Sequence, residues 1–159
     1  MERPNRWPWP PLIVAGLAVA AMALDQAVPT GAVLAVPFGA RLAGGAVMAL
    51  GVGLDLWAMR TMRRHRANIL PHRAATALVT DGPFAVSRNP IYLANTLLLA
   101  GAGLLFGNAW LLPAALGQMA LVDRMAIRRE EAHLATRFGA AWAAYAADVP
   151  RWLRLRRAR

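Results

Sequence analysis

Thirty-four consecutive residues, Asn89 to Val122, carry no charge. That run is too long for one bilayer-crossing helix of about 20 residues and slightly short for two. It therefore predicts a tight helical hairpin, turning near Gly107-Asn108, with Pro113 in the first turn of the returning arm. Two more apolar stretches precede it. Trp7 to Leu24 has no charged or strongly polar residue, and Leu42 to Met59 is interrupted only by Asp55. Each is about long enough to cross a hydrocarbon core. In the second, Gly45, Ala49 and Gly53 recur every four residues, a small-residue stripe that would let another helix approach closely. For the first stretch a secretory signal is the rival reading, since Arg3 and Arg6 precede it, but the run exceeds a typical signal core and no clear small-residue cleavage site follows.

The expected fold is thus all-α: a polytopic membrane protein of about four transmembrane helices forming one membrane domain over 1–159. Residues 1–59 hold two spans, 60–90 a cytoplasmic loop, 91–127 the hairpin, and 128–159 a cytoplasmic helix with a basic tail. All 18 basic residues are arginines, and 17 of them fall on the side that holds both termini and the 60–88 loop, with Arg41 alone opposite. The positive-inside rule makes that side cytoplasmic. All-arginine, alanine-rich usage hints at a bacterial source, hence an inner membrane.

A net charge of +10 would suggest nucleic acid in a soluble chain. With 58% hydrophobic residues, and arginines bordering the apolar runs, the charge reads instead as membrane orientation, and Arg154 to Arg159 as an anchor to anionic lipids. Without cysteine there are no disulfides, thiolate nucleophiles or zinc–sulfur sites. His65, His72 and His133 lack metal-ligand spacing, so no metal is expected. Gly101, Gly103 and Gly107 do not match GxGxxG and suit helix packing better than a dinucleotide.

Polar groups that could do chemistry gather at the cytoplasmic ends of the spans. Asp55, Asp123 and Arg124 reach the level where Arg88, Tyr92 and Asn95 open the third span. A polar pocket there competes with plain Asp–Arg pairs that fix helix packing. The segment LVTDGPFAVSRNPIY is rich in turn formers: Gly82-Pro83 makes a turn, and Asn89-Pro90 an extended residue before a helix start. By itself this is an ordinary way into a helix. Beyond Asp123 the pattern is amphipathic, with Ile127, Leu134, Phe138 and Tyr145 on one stripe and Arg124, Arg128 and Arg137 off it. Glu131 falls on that stripe and needs a partner, such as Arg128 or a bound ligand; Glu130 borders it, where a solvated charge is the simpler expectation.

Taken together, LVTDGPFAVSRNPIYLAN, a short apolar hairpin and RREEAHLATRFGAAWAAYAADVPRWL resemble the isoprenylcysteine carboxyl methyltransferase and phospholipid methyltransferase family, over roughly Pro71 to Leu153. The resemblance implies an integral membrane enzyme that moves a methyl group from S-adenosylmethionine to a lipophilic or membrane-borne acceptor. It implies cofactor contacts from Val79, Gly82, Pro83, Arg88, Asn89, Pro90, Tyr92, Glu130 and Glu131. Glu131, Tyr92 and Arg128 become the candidate catalytic side chains, with Arg128 and Arg129 able to orient a carboxylate or pair with the acids. Asn89 stands where better-known eukaryotic members carry histidine, and an amide cannot act as a base near neutral pH. Expected partners are the lipid acceptor and bilayer lipids, not nucleic acid. Two rivals stay open: a nicotinamide-dependent membrane reductase of related core, and a non-enzymatic lipid-binding scaffold.

Overall fold

The computed structural model describes residues 9–31, 35–67 and 76–153. The terminal run Arg154 to Arg159, and loop residues 68–75 with His72 and Arg73, lie outside this set. Within it every regular element is helical: α1 (Trp9–Ala27), α2 (Phe38–Arg64), a short 3-10 turn (Gly82–Ala85), α3 (Pro90–Phe106), α4 (Leu111–Val122), one π turn (Asp123–Ile127) and α5 (Arg128–Asp148).

Pro10–Ala27 and Phe38–Arg64 are long and apolar enough to cross a bilayer, while Pro90–Phe106 is apolar but shorter. Few residues of either long helix are buried inside the protein. Val19, Phe38, Leu50, Phe106 and Leu116 all present more than half their surface outward. Apolar side chains facing out on long helices suit a lipid surround.

The hairpin turns where the sequence predicts. Gly107 takes a left-handed φ of 72° after the last turn of α3, a conformation that suits glycine. Beside it, Asn108 bonds through its side-chain oxygen to the Trp110 N–H. This end of the bundle is tied to the α1–α2 connector. The Thr30 N–H and hydroxyl both donate to Asp25 Oδ1 (3.0 and 2.6 Å), the Thr30 hydroxyl oxygen accepts from the Ala109 N–H at 2.8 Å, and Trp110 Nε1 donates to Val28 O.

α3 is the central helix, packed against α2 on one side and α4 on the other, with α1 laid on α4. The α2–α3 seam is unusually close, but it is not the predicted stripe. A Cβ on Gly53 would meet nothing, and one on Gly45 only an ordinary contact at 3.7 Å. The true seam is one face over. A Cβ on Gly101 would lie 2.6 Å from Met48 N, one on Gly44 2.6 Å from Leu105 N, and one on Gly51 3.0 Å from Ala94 O. A step of four residues drifts about 40° round a helix, so the stripe at Gly45, Ala49 and Gly53 turns away from its neighbour. Steps near seven, as in Gly44, Gly51 and Ala58, hold one line.

α4 runs through the π turn into α5, as the expected extension past Asp123 requires. α5 is not one straight rod. Gly139 takes φ 49°, ψ −119°, which breaks the helix after Phe138 and redirects the remainder. Trp142, Tyr145 and Val149 then form a cluster with Leu78, Leu134 and Phe138, joining the chain's last described stretch to the loop before α3.

Candidate active site

Three segments distant in sequence meet at the end of the bundle where α3 begins. The 3-10 turn is seated first. Gly82 has φ 57°, and a Cβ there would press on Thr61 Oγ1 at 2.9 Å and Trp57 Nε1 at 3.4 Å, so glycine serves both the conformation and the contact with α2. Val79 and Pro83 are buried next to it, and the Tyr145 hydroxyl donates to Phe84 O at 2.8 Å.

The turn leads into a clasp between residues 87–89 and the tail. The Arg88 N–H donates to Pro150 O (3.0 Å), while the Ser87 hydroxyl (3.3 Å) and Asn89 Nδ2 (2.9 Å) both donate to Arg151 O. The Ser87 oxygen in turn accepts from the Asn89 N–H at 3.1 Å. Asn89 is therefore buried and engaged in holding the tail, a bond that an imidazole N–H at this position could also make. Pro90, with no N–H to leave unpaired, opens α3.

The first turn of α5 supplies both carboxylates. The Tyr92 hydroxyl donates to Glu130, lying 3.1 and 3.2 Å from its two oxygens. Tyr92 itself is buried among Val122, Ala126 and Ile127, with Ile13 and Trp152 packed over them. Burial pushes the Glu130 carboxyl up to about 7; the Tyr92 hydrogen bond pulls it down in part, and the charge on Glu131 adds to the rise.

Glu131 is held quite differently. Arg151 grips it with two bonds, Nε to Oε1 at 3.0 Å and Nη2 to Oε2 at 2.6 Å, and Arg88 Nη1 lies 3.4 Å from Oε1. The third Arg151 nitrogen reaches Asp123 at 2.9 Å. The π turn makes this possible. In an unbroken α-helix Asp123 would align with Glu130, seven residues on; a π turn absorbs about one extra residue and brings Asp123 into line with Glu131. The Arg88 guanidinium also sits over the Trp142 ring, 5.6 Å from its centre, and its Nε is buried without a partner among the described residues.

Of the predicted side chains, Val79, Gly82, Pro83, Arg88, Asn89, Pro90, Tyr92, Glu130 and Glu131 all lie at this one end of the bundle. Arg128 does not join Glu131 as its expected partner. It is exposed and pairs with Asp123 at 2.9 Å, because the π turn shifts its phase. Arg124 pairs with neither aspartate, and Asp55 has no partner among the described residues, so the Asp–Arg pairing weighed for these groups holds only for Asp123 and with other arginines. Sequence reasoning missed Arg151, which ties the two carboxylates together. Its signal lies in Val149-Pro150-Arg151-Trp152, which closes the second of the two segments that carry the resemblance.

The donor set fits the amino-acid end of S-adenosylmethionine. An unpaired buried Arg88 N–H suits a carboxylate, and Glu130, held by one hydroxyl, has lone pairs for an ammonium or a hydroxyl. The family model for phospholipid methyltransferase matches residues 39–141. The chain belongs to the phospholipid methyltransferase family and is an integral membrane methyltransferase that uses S-adenosylmethionine on a lipid or membrane-borne acceptor. No curated protein and no solved structure matches the chain.

Proposed function

We propose that the chain methylates the head group of a membrane lipid at the cytoplasmic face of a four-span bundle, with both termini on that face of a bacterial inner membrane. The supporting observation is the convergence of the 79–92 segment with Glu130 and Glu131, centred on the Tyr92–Glu130 hydrogen bond. The arginine bias across the bundle supports the orientation.

S-Adenosylmethionine supplies, when bound, a methyl group on a positively charged sulfur open to in-line displacement. The chain's own task is alignment and exclusion of water. Gly82 and Pro83 shape a turn that would line the cofactor's site. Arg88 would hold the carboxylate and Glu130 the ammonium of its amino-acid end. Tyr92 fixes Glu130 in place, and the Arg151 clamp keeps Glu131 from competing for the same cation. Ionised Glu130 could receive the proton leaving an amine acceptor, directly or through the Tyr92 hydroxyl, which would give its own proton to Glu130 as it takes the amine's. Arg128, at the exposed rim, steers the anionic part of a lipid head group. An isoprenoid carboxylate acceptor suits the site less, since Glu130 would repel it once ionised. Family membership favours methyl transfer over the reductase and scaffold readings.

The test is S-adenosylmethionine affinity of the full chain in detergent, with Tyr92→Phe and Glu130→Gln. Each is expected to weaken binding about tenfold, the scale of one charge-assisted hydrogen bond. Unchanged affinity in both variants would remove the assignment.

A further inference from the structure

Asn89 is the N-cap of α3, the position from which an asparagine side chain ordinarily turns back to bond the helix's own first N–H groups. Here it makes no such bond. Its amide nitrogen reaches instead to Arg151 O at 2.9 Å, 62 residues along the chain. A cap of this kind stabilises a helix noticeably, so local stability is forgone for a contact with the tail. A carbonyl oxygen only accepts, which fixes the amide nitrogen as the atom that faces it. The Asn89 N–H is taken by the Ser87 oxygen and its C=O by the Leu93 N–H, so the residue is bound on several sides.

Arg151, at the other end of that contact, is held at both of its own ends. Its carbonyl accepts from Asn89 and from the Ser87 hydroxyl. Its guanidinium grips Glu131 with two bonds of 3.0 and 2.6 Å and reaches Asp123 at 2.9 Å. A two-bond pair of this kind tolerates little displacement of either partner. A second cation stands beside it. Arg88 Nη1 lies 3.4 Å from Glu131 Oε1, an ion-pair approach without a hydrogen bond among the described residues. If Arg151 slips, Arg88 is the cation already in reach of Glu131. A guanidinium drawn fully onto that carboxylate is lost to any ligand carboxylate.

We propose that Asn89, seconded by Ser87, is a positioning residue: by fixing the Arg151 carbonyl it keeps that guanidinium on Glu131 and Asp123, and so leaves Arg88 free for the carboxylate of S-adenosylmethionine. Asn89 acts through Arg151, and neither takes a proton nor holds the cofactor itself. The inference rests on the reading that Arg88 receives that carboxylate.

The full chain in detergent is titrated calorimetrically with S-adenosylmethionine and with its decarboxylated form, which lacks the group assigned to Arg88. Wild type is expected to prefer the carboxylate form about tenfold, the scale of one charge-assisted pair. Asn89→Leu loses about fivefold in S-adenosylmethionine affinity, the scale of one neutral hydrogen bond, and nothing for the decarboxylated form. Ser87→Ala, which serves should Asn89→Leu not fold, shows the same selective loss to a smaller degree. Arg151→Met loses more, and adding Asn89→Leu to it brings no further loss. Asn89→His, whose imidazole N–H can make the same bond, keeps most of the affinity. Equal losses for the two forms would reduce the clasp to a folding element. Losses that add would separate Asn89 from Arg151, and Asn89→His behaving like Asn89→Leu would remove the bond from the account. Any of these overturns the proposal. A wild-type protein that does not distinguish the two forms overturns the Arg88 assignment beneath it, a failure recognisable before any variant is made.

Discussion

Glu130 and Glu131 are neighbours in the chain, yet their surroundings give them opposite characters. Glu131 is gripped by Arg151 and approached by Arg88, whereas Glu130 has a single tyrosine hydroxyl. The Glu130 carboxyl is raised from 4.5 to about 7, chiefly by burial. A raised folded-state value means the folded protein holds this proton more tightly than the unfolded chain does. The resulting stability is fully present below about 4.5 and is lost as pH climbs through about 7. The ligand-free protein should therefore melt at lower temperature at pH 8 than at pH 5, with up to about 3 kcal/mol from this group. Glu130→Gln should flatten that slope in thermal melts run across the range. A slope unchanged by the substitution would show that some other group titrates. A cationic ligand beside Glu130 favours the ionised form, so cofactor affinity should rise over the same interval. At this scale the sequence was only half legible. It placed Glu130 and Glu131 at the site and marked Glu131 as the group in need of a partner, which it finds in Arg151 and Arg88 and not in Arg128, but it read Glu130 as solvated where the structure buries it against Tyr92. A π turn shifts helical phase by about one residue without any mark in composition or spacing, and it brings Asp123 into line with Glu131, where Arg151 bridges them.

Between elements, close backbone approach governs the α2–α3 pair. Side chains in a bilayer gain little by leaving lipid for each other, so van der Waals fit at glycine seams carries much of the association. Gly44 and Gly101 are the tightest points; at Gly101, Met48 N and Gly44 O lie 2.6 and 2.7 Å from where its Cβ would stand, both of them backbone atoms that cannot swing aside. Gly101→Ala should force the helices apart and lower stability by about 1–3 kcal/mol. Gly53→Ala, facing open space, should be neutral or slightly stabilising through helix propensity. Thermal melts of the two variants in one detergent decide it, and equal losses would mean the seam does not carry the packing. The helices themselves were readable from uncharged runs, and the hairpin turn from Gly107-Asn108. The contact face was not, because a four-residue repeat of small side chains looks like a seam without being one. The break at Gly139 was equally hidden: a glycine within an amphipathic stripe gives no sign that its φ is 49°.

Across the whole molecule the two ends of the bundle are built for different surroundings. The end near Gly107 is closed by hydrogen bonds around Thr30, to the Asp25 carboxylate and from the Ala109 N–H, and carries Arg41 as its lone arginine. The other end gathers the charged groups of the site, and a site that binds a water-soluble methyl donor must open to the compartment where that donor is made. Charge bias and site chemistry thus argue independently for the same orientation. The chain contains no cysteine, so single cysteines can report it without background. Cysteine introduced for Gly31, in the connector, should react with a membrane-impermeant maleimide applied to intact spheroplasts. Cysteine introduced for Arg66, past the end of α2, should react only after the membrane is opened. Labelling of both from outside would mean that α2 does not cross. The reverse pattern would place the Tyr92–Glu130 pair on the face away from the methyl donor, and the lipid-methylation reading would fall with it.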